Sequence, residues 1–464
     1  RFKGVEINAR LTRNYPHGEH AVHALGYVGR IDERDLSEVS EVEYAGTTHI
    51  GKLGLEKFYE HELHGSVGVQ QVEVNANGRT LRVLSESPPV QGNNLHLTID
   101  SRLQRVAEEA FADRNGAAVA IDPTNGEILA LVSMPIFNPN LFVNGISYAN
   151  YDALRDSPER PLFNRALSGQ YPPGSTTKPF FGLAGLEARV NQKDEKTWCG
   201  GYYLLPNEER RYRDWKKEGH GHMNLNDAIT QSCDVYFYDL AYRMGIDRMS
   251  EFLAQFGFGV KTGVDSTGER NGLLPSREWK RRHEGMPWFP GETLITGIGQ
   301  GALLVTPLQL ANSTAAFAVK GTRYQPRLVR SVEKIPDYNR IDIADRVAGR
   351  YQLLKPRNWE HVHNAMVNVV HGLRGTAQGI NRGLAYKVAG KTGTAQVFEI
   401  AQDEEYDEET VAEKLRDHAL FVSYAPAEDP KIAVAVIVEN GGSGSSVAAP
   451  IARQIMDAYL LEKS

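Results

Sequence analysis

A serine and a lysine three residues apart, Ser175 and Lys178, are the residues best suited to covalent chemistry. A Pro-Pro-Gly turn precedes them, and a helical run over 180–189 follows. Residues at this spacing share one helix face, so the amine can accept the proton of a nucleophilic hydroxyl. A lysine of ordinary pKa is charged at neutral pH, so this role requires burial or a second cation beside Lys178. The alternative for so short a motif is a helix-capping serine followed by a surface lysine.

Two further segments carry residues suited to the same chemistry. The run Ser-Cys-Asp at 232–234 follows a capped helix start, and the run Lys-Thr-Gly-Thr at 391–394 follows an apolar, strand-like stretch. One class of serine enzymes combines S-x-x-K with S-D-N and K-T-G. We therefore predict that the three segments form one site, with Lys391 on an edge strand and Gly393 letting a ligand approach the backbone.

A second Lys-Thr-Gly run begins at Lys261. It follows a glycine-rich stretch and lacks the Thr-Ala that continues the run at 391. We rank Lys391 above Lys261 because only Lys391 lies in a segment with the pattern of a strand.

Apolar periodicity predicts the elements that must position these residues. The turn-rich segment 88–94 predicts a boundary between a non-catalytic amino-terminal module, 1–88, and a catalytic domain, 89–464. Strands at both ends of the second part, with helices between, predict an α+β domain whose sheet joins distant parts of the sequence. The predicted strands are 67–74, 79–84, 95–99, 117–121, 128–135, 386–389, 394–398, 419–424 and 432–439, and the predicted flanking helices are 102–111 and 450–461.

The acidic segment 399–417 interrupts this pattern of strands. It has no apolar period, so we predict a solvated loop between two strands, with substrate gating as the alternative. The overall composition also excludes function classes. A net charge of −6 over 464 residues argues against nucleic acid as a partner. No run approaches the ~18 apolar residues of a membrane span.

In its three motifs, S-x-x-K at 175–178, Ser-Cys-Asp at 232–234 and Lys-Thr-Gly at 391–393, the sequence resembles the penicillin-binding proteins. These are serine D,D-transpeptidases that share a fold with the serine β-lactamases. The resemblance covers essentially the whole chain. Segments 13–16 and 51–56 resemble the pedestal of class B members, and segments 297–301, 306–309 and 438–442 also fit. Segment 212–217 and Asp234 resemble the elongation-specific branch. Most of the wider family has asparagine at the position of Asp234, so the amide-donor role of that position is in doubt here.

The resemblance implies an antiparallel sheet flanked by helices, a helical subdomain and an extended amino-terminal pedestal. It implies that Ser175 attacks the carbonyl between two D-alanines of a peptidoglycan stem peptide. Lys178 would be the general base, and Lys391 would supply the cation that lowers its pKa. Ser232, in the motif that ends at Asp234, would relay a proton to the leaving D-alanine.

The resemblance also assigns the substrate-binding groups. The oxyanion would lie between the backbone N–H groups of Ser175 and Thr394, aided by the helix amino end. The hydroxyls of Thr392 and Thr394 would hold the substrate carboxylate, next to Gly393. An amine of a second stem peptide would then attack the acyl-enzyme and form a cross-link. β-Lactams mimic the D-Ala-D-Ala end and would acylate Ser175.

Other activities on the same fold are the alternatives. A D,D-carboxypeptidase would use water in place of the amine, and a β-lactam-binding sensor would stop at the acyl-enzyme. A β-lactamase would need an additional base to deacylate with water, and no residue outside the three motifs indicates one. By resemblance, we expect a single amino-terminal anchor in the inner membrane, outside this sequence, and a periplasmic catalytic domain. The expected partners are a RodA-type glycosyltransferase and an MreC-type scaffold.

The only two cysteines, Cys199 and Cys233, lie close in sequence to Asp214 and His220. Two thiolates, an imidazole and a carboxylate form a possible zinc site, with His222 as the alternative to His220. The zinc would be structural, because catalysis by acyl transfer requires no cofactor, and it would anchor the 232–234 segment. A disulfide and two unconnected thiols are the other interpretations.

Overall fold

The computed structural model describes residues 12–397 and 412–461. Its amino-terminal part contains short elements that end in a hairpin. They are α1 (Val22–Leu25), β1 (Val28–Arg30), α2 (Glu33–Glu38), β2 (His49–Gly51), α3 (Gly54–Phe58), α4 (Glu60–Leu63), β3 (Val69–Val74) and β4 (Thr80–Ser87). The predicted hairpin around Asn77-Gly78 is confirmed as the antiparallel pair β3 and β4, with register shifts between Gln71 and Val72 and between Glu73 and Val74.

The remaining elements alternate between strands and helices. The first group is β5 (Asn94–Leu97), α5 (Ser101–Glu109), β6 (Gly116–Ile121), β7 (Ile128–Met134), α6 (Asn140–Val143), α7 (Tyr148–Arg155) and α8 (Arg165–Ser168). A mainly helical region follows, with α9 (Lys178–Glu187), β8 (Thr197–Cys199), β9 (Tyr202–Leu204), β10 (Arg211–Arg213), β11 (Gly221–Met223), α10 (Leu225–Thr230), α11 (Asp234–Met244), α12 (Ile246–Gln255), α13 (Arg277–His283), α14 (Pro290–Gly297) and α15 (Pro307–Ala318).

The last group returns to the sheet. It comprises β12 (Thr322–Tyr324), β13 (Val329–Lys334), β14 (Asn339–Asp342), β15 (Val347–Arg350), α16 (Pro356–His371), β16 (Ala389–Ala395), β17 (His418–Ala425), β18 (Ile432–Val438) and α17 (Ala449–Leu460). No helix within the described residues is long and apolar enough to cross a membrane.

A five-stranded antiparallel sheet in the order β16-β17-β18-β6-β7 is the centre of the catalytic part. Strands β17 and β18 are apolar runs buried on both faces. Helices α5 and α17 pack together on one face of the sheet, and α15 packs on the other. The predicted α+β domain is confirmed, including the junction of early strands with late strands.

The edge strand β16 differs in its bounds from the prediction. The predicted strands 386–389 and 394–398 are instead one strand, Ala389–Ala395, and residue 398 lies outside the described residues. The reason is that the Lys-Thr-Gly residues themselves pair with β17, Lys391 opposite Val422 and Gly393 opposite Leu420. Glycine and lysine have low strand propensity, and the ladder overrides that propensity here.

The amino-terminal part is hydrogen-bonded to the catalytic part. Tyr59 donates its hydroxyl proton to Asp265 over 2.9 Å, and the Ala21 N–H donates to Glu108 over 2.9 Å. The boundary at residue 88 stays a prediction. Most of the predicted acidic loop 399–417 lies outside the described residues; its described end contains a 3₁₀ turn, Glu413–Leu415, and the buried Asp417.

Candidate active site

The nucleophile candidate lies on a 3₁₀ turn, Gly174–Thr177, that leads directly into α9. Ser175 is half-buried, whereas Lys178 and the rest of α9 are buried. The helix predicted over 180–189 therefore begins two residues earlier, at Lys178. Gly174 has φ +54°, and a Cβ on it would lie 2.4 Å from the Thr394 carbonyl oxygen. Only glycine lets the turn approach β16 this closely, which places Ser175 beside the edge strand.

Lys178 joins the first motif to the second. Its Nζ donates to Asp234 Oδ1 at 2.7 Å, to the Ser232 carbonyl at 2.8 Å and to Ser232 Oγ at 3.3 Å. All three partners are acceptors, and the amine is fully buried. Asp234 also accepts the Trp215 N–H over 3.1 Å, so its side chain acts only as an acceptor. The amide-donor role of an asparagine is therefore absent at this position.

Lys391 joins the third motif to the second. Its Nζ lies 2.9 Å from Ser232 Oγ and 3.0 Å from the Thr392 carbonyl, and it is fully buried. Burial, together with the neighbouring Lys178 ammonium, holds the pKa of Lys391 well below its usual value. Ser232 thus bridges two amines, and its φ of +58° is a left-handed conformation that is strained for serine.

The predicted role of Lys391 as the cation beside Lys178 stays a prediction. The structure adds that the Asp234 carboxylate lies against Lys178 and that burial lowers the pKa of Lys391. Lys391 has no carboxylate within hydrogen-bonding distance among the described residues, so the charge of Asp234 offsets only part of the effect of its burial.

The outer side of β16 carries the predicted substrate-binding residues. Thr394 is exposed, and Gly393 and Thr392 are buried. The Thr392 hydroxyl lies 2.7 Å from the hydroxyl of Thr376, and Gln300 Nε2 donates to the Thr394 carbonyl over 2.8 Å. Sequence reasoning missed both contacts. Gln300 lies in segment 297–301, which carries part of the family resemblance, whereas nothing in the sequence around Thr376 indicated a role.

A partly buried polar network lies next to the 3₁₀ turn that carries Ser175. The Tyr171 hydroxyl donates to Glu439 Oε1 over 2.7 Å, and Arg165 Nε lies 3.0 Å from Glu439 Oε2. On the other side of the turn, the Gly174 N–H donates to the Gly299 carbonyl over 2.8 Å. Segment 297–301 thus contacts the turn that carries Ser175, and segment 438–442 contacts Tyr171, three residues before that turn.

The competing run at Lys261 lies in a loop. Lys261 is exposed, and the hydroxyl and N–H of Thr262 both bond to Glu269. None of these contacts involves Ser175, Ser232 or Lys391. The two Lys-Thr-Gly runs thus differ in environment: Lys391 is buried beside Ser232, whereas Lys261 is exposed in a loop.

The four predicted zinc ligands come together in a buried cluster. Their ligand atoms, from Cys199, Asp214, His220 and Cys233, all lie within 4.8 Å of one another. Asp214 Oδ2 lies 3.4 Å from Cys199 Sγ and 3.3 Å from Cys233 Sγ, and Asp214 Oδ1 lies 3.3 Å from His220 Nδ1. The two cysteines are not bonded to each other. His222 is exposed and packs its ring on Trp198, so it lies outside the cluster.

The cluster is continuous with the second motif. Asp214 Oδ2 accepts the backbone N–H groups of Asp234 and Val235, at 2.8 and 3.1 Å, and so caps the amino end of α11. Cys233 is the residue between Ser232 and Asp234. A hydrogen bond from the Cys233 thiol lowers the pKa of Cys199 to about 6, which favours the thiolate that a metal requires.

A family model for the penicillin-binding protein transpeptidase domain matches residues 116–457, and one for the penicillin-binding protein dimerisation domain matches residues 1–97. The chain therefore belongs to the penicillin-binding protein transpeptidase family.

Among its relatives, the peptidoglycan D,D-transpeptidase MrdA of Acinetobacter baumannii is 47% identical over 464 residues, which are 100% of this chain and 68% of that protein. The crystal structure of Pseudomonas aeruginosa PBP2 in complex with WCK 5153 is 48% identical, with a TM-score of 0.85 over 97% of this chain and 91% of that one. Helicobacter pylori PBP2 in complex with MreC is 35% identical, with a TM-score of 0.84 over 98% and 80%.

Proposed function

We propose that this chain, a serine-type peptidoglycan D,D-transpeptidase, forms its acyl-enzyme on Ser175. The observation that carries the proposal is the buried contact of Lys178 and Lys391 with one hydroxyl, that of Ser232. In the acylation step, Ser175 Oγ bonds to the carbonyl carbon between two D-alanines, and the bond to the terminal D-alanine breaks. The Ser175 proton passes to the lysine pair and then, through Ser232, to the leaving amine.

The proton acceptor of the pair is Lys391, because burial and the neighbouring Lys178 ammonium hold the pKa of Lys391 well below its usual value. Asp234 is hydrogen-bonded to Lys178, and the lowered pKa of Lys391 favours the neutral form of the Lys391 amine. Ser232, hydrogen-bonded to both amines, is placed to move a proton between them.

The remaining roles follow from the position of β16. The Ser175 and Thr394 N–H groups would stabilise the oxyanion, and the Thr392 and Thr394 hydroxyls would bind the substrate carboxylate next to Gly393. β-Lactams would be trapped at the same serine. We propose a periplasmic, membrane-anchored enzyme of cell elongation that works with a RodA-type glycosyltransferase and an MreC-type scaffold. The H. pylori relative bound to MreC supports the second partner.

Incubation with a donor peptide ending in D-Ala-D-Ala and an acceptor stem peptide tests the reaction type. We expect release of D-alanine together with a cross-linked dimer, measured by mass spectrometry. D-alanine release without dimers, at any acceptor concentration, would instead indicate a carboxypeptidase. Stable acylation without turnover would indicate a sensor.

We also propose a structural zinc held by Cys199, Asp214, His220 and Cys233. The donor types fit zinc, since all four side chains are buried and two of them are thiols. His220 Nε2 is also buried without a hydrogen-bond partner among the described residues. Four protein ligands leave no open position, so the metal would supply a cross-link, not chemistry. That cross-link would connect the strand pairs β8–β11 and β9–β10 to the segment that carries Ser232 and Asp234.

Metal analysis of purified protein checks the zinc proposal. We expect about one zinc per chain, lost in His220→Ala together with a drop in melting temperature of several degrees. His222→Ala is the matched control, because His222 is two residues away but exposed, and it should retain the metal. Protein without metal that titrates as two free thiols would exclude the site.

A further inference from the structure

Thr376 lies between the second and third motifs, although it belongs to neither. It follows α16, in the loop that leads toward β16. Its backbone N–H donates to the Thr230 carbonyl over 3.3 Å, two residues before Ser232. Its hydroxyl lies 2.7 Å from the hydroxyl of Thr392. Thr376 therefore contacts the helix end just before the second motif through its backbone, and the third motif through its side chain.

The loop holds Thr376 in a defined position. The Gly375 N–H donates to the Gly372 carbonyl over 3.0 Å, and the Ala377 N–H donates to the Val369 carbonyl over 2.9 Å. A Cβ on Gly375 would lie 2.2 Å from the Val369 carbonyl oxygen, so only glycine permits this fold-back onto α16. The Thr376 hydroxyl is thus fixed relative to Thr392 before any substrate arrives.

The direction of the hydrogen bond between the two hydroxyls has a consequence for anion binding. Each hydroxyl has one proton to donate and can accept others. If Thr392 donated to Thr376, its proton would be unavailable to an anion. If Thr376 donates to Thr392, the Thr392 proton is free to bond to a carboxylate, and the first bond strengthens the second. A bound carboxylate selects this second arrangement.

We propose that Thr376 is a positioning residue that orients the Thr392 hydroxyl toward the carboxylate of the substrate or β-lactam. The proposal rests on the proposed carboxylate-binding role of Thr392. Thr376 does not touch the reacting atoms. Its effect is therefore confined to ligands that carry the anion, which separates it from a residue needed only for folding.

Acylation rates with benzylpenicillin and with its methyl ester test the proposal. Thr376→Val should lower the second-order acylation rate about tenfold for the acid, because a charge-assisted hydrogen bond is weakened, and leave the rate for the ester unchanged. Thr376→Ser keeps the hydroxyl and should behave as wild type. Thr314→Val is the matched control: it removes a buried hydroxyl that bonds to the Leu310 carbonyl over 2.7 Å on α15, and both rates should persist.

The outcomes separate this inference from the function on which it rests. Equal losses for acid and ester in Thr376→Val, no loss for the acid, or a loss in Thr376→Ser would each overturn the positioning role. If Thr392→Val does not distinguish acid from ester, the proposed role of Thr392 itself fails. In the double variant, Thr376→Val should add no loss to that of Thr392→Val. Should the valine variant not fold, Thr376→Ala makes the same comparison.

Discussion

Replacing Ser175 with alanine is expected to abolish covalent labelling by a fluorescent penicillin. The proposed acyl-enzyme is an ester of this hydroxyl, so removal of the hydroxyl eliminates the bond itself, and the acylation rate should fall by at least ~10⁴-fold. The fold should be retained. Among the described residues, no hydrogen bond holds the Ser175 side chain, so alanine leaves no buried partner unpaired. Gel fluorescence and intact mass measure the label, and thermal unfolding checks that the melting temperature is unchanged.

Ser168→Ala is the control for this experiment. Ser168 lies in the segment before the nucleophile turn and donates its hydroxyl proton to the Gly268 carbonyl, away from the lysine pair. It should label at the wild-type rate. Labelling of Ser175→Ala at a single residue would place the nucleophile elsewhere, and peptide mapping would identify that residue.

Replacing Lys391 with methionine is expected to reduce the acylation rate by ~10²–10⁴-fold, the usual contribution of proton transfer by a positioned group. Methionine keeps most of the volume of the buried side chain but removes the amine that bonds to Ser232. Lys261→Met makes the same change in the other Lys-Thr-Gly run, where the lysine is exposed, and should leave the rate unchanged. Stopped-flow acylation by a chromogenic β-lactam measures both variants.

The pH dependence of the acylation rate is a second test of the proton-transfer role of Lys391. As the pH falls, Lys391 takes up a proton beside Lys178 and Asp234, the neutral amine of the pair is lost, and acylation should slow. The low pKa of Lys391 places this loss below the usual range of lysine titration. A rate for Lys391→Met equal to that of wild type, or equal effects in the two lysine variants, would contradict the assignment.

Two predicted features were recoverable from the sequence because they depend on local patterns. The apolar runs of β17 and β18 predict buried strands wherever they lie in a fold, since burial on both faces requires continuous apolar residues. The spacing of Ser175 and Lys178 places them on adjacent turns in any helix. The bounds of β16 were not recoverable in this way, because Lys391 and Gly393 join that strand only through pairing with β17.

The sequence by itself identified the residues proposed for the site, an S-x-x-K pair with two distant partner motifs, and the four residues of the proposed zinc site. Only the tertiary structure decided which residues share one environment. It buried His220 and exposed His222, and it set Asp234 against Lys178. The position of Thr376 beside Thr392 likewise has no counterpart in the sequence pattern. The physical reason is that burial, pKa and hydroxyl direction depend on neighbours from distant segments, which residue types and spacing do not specify.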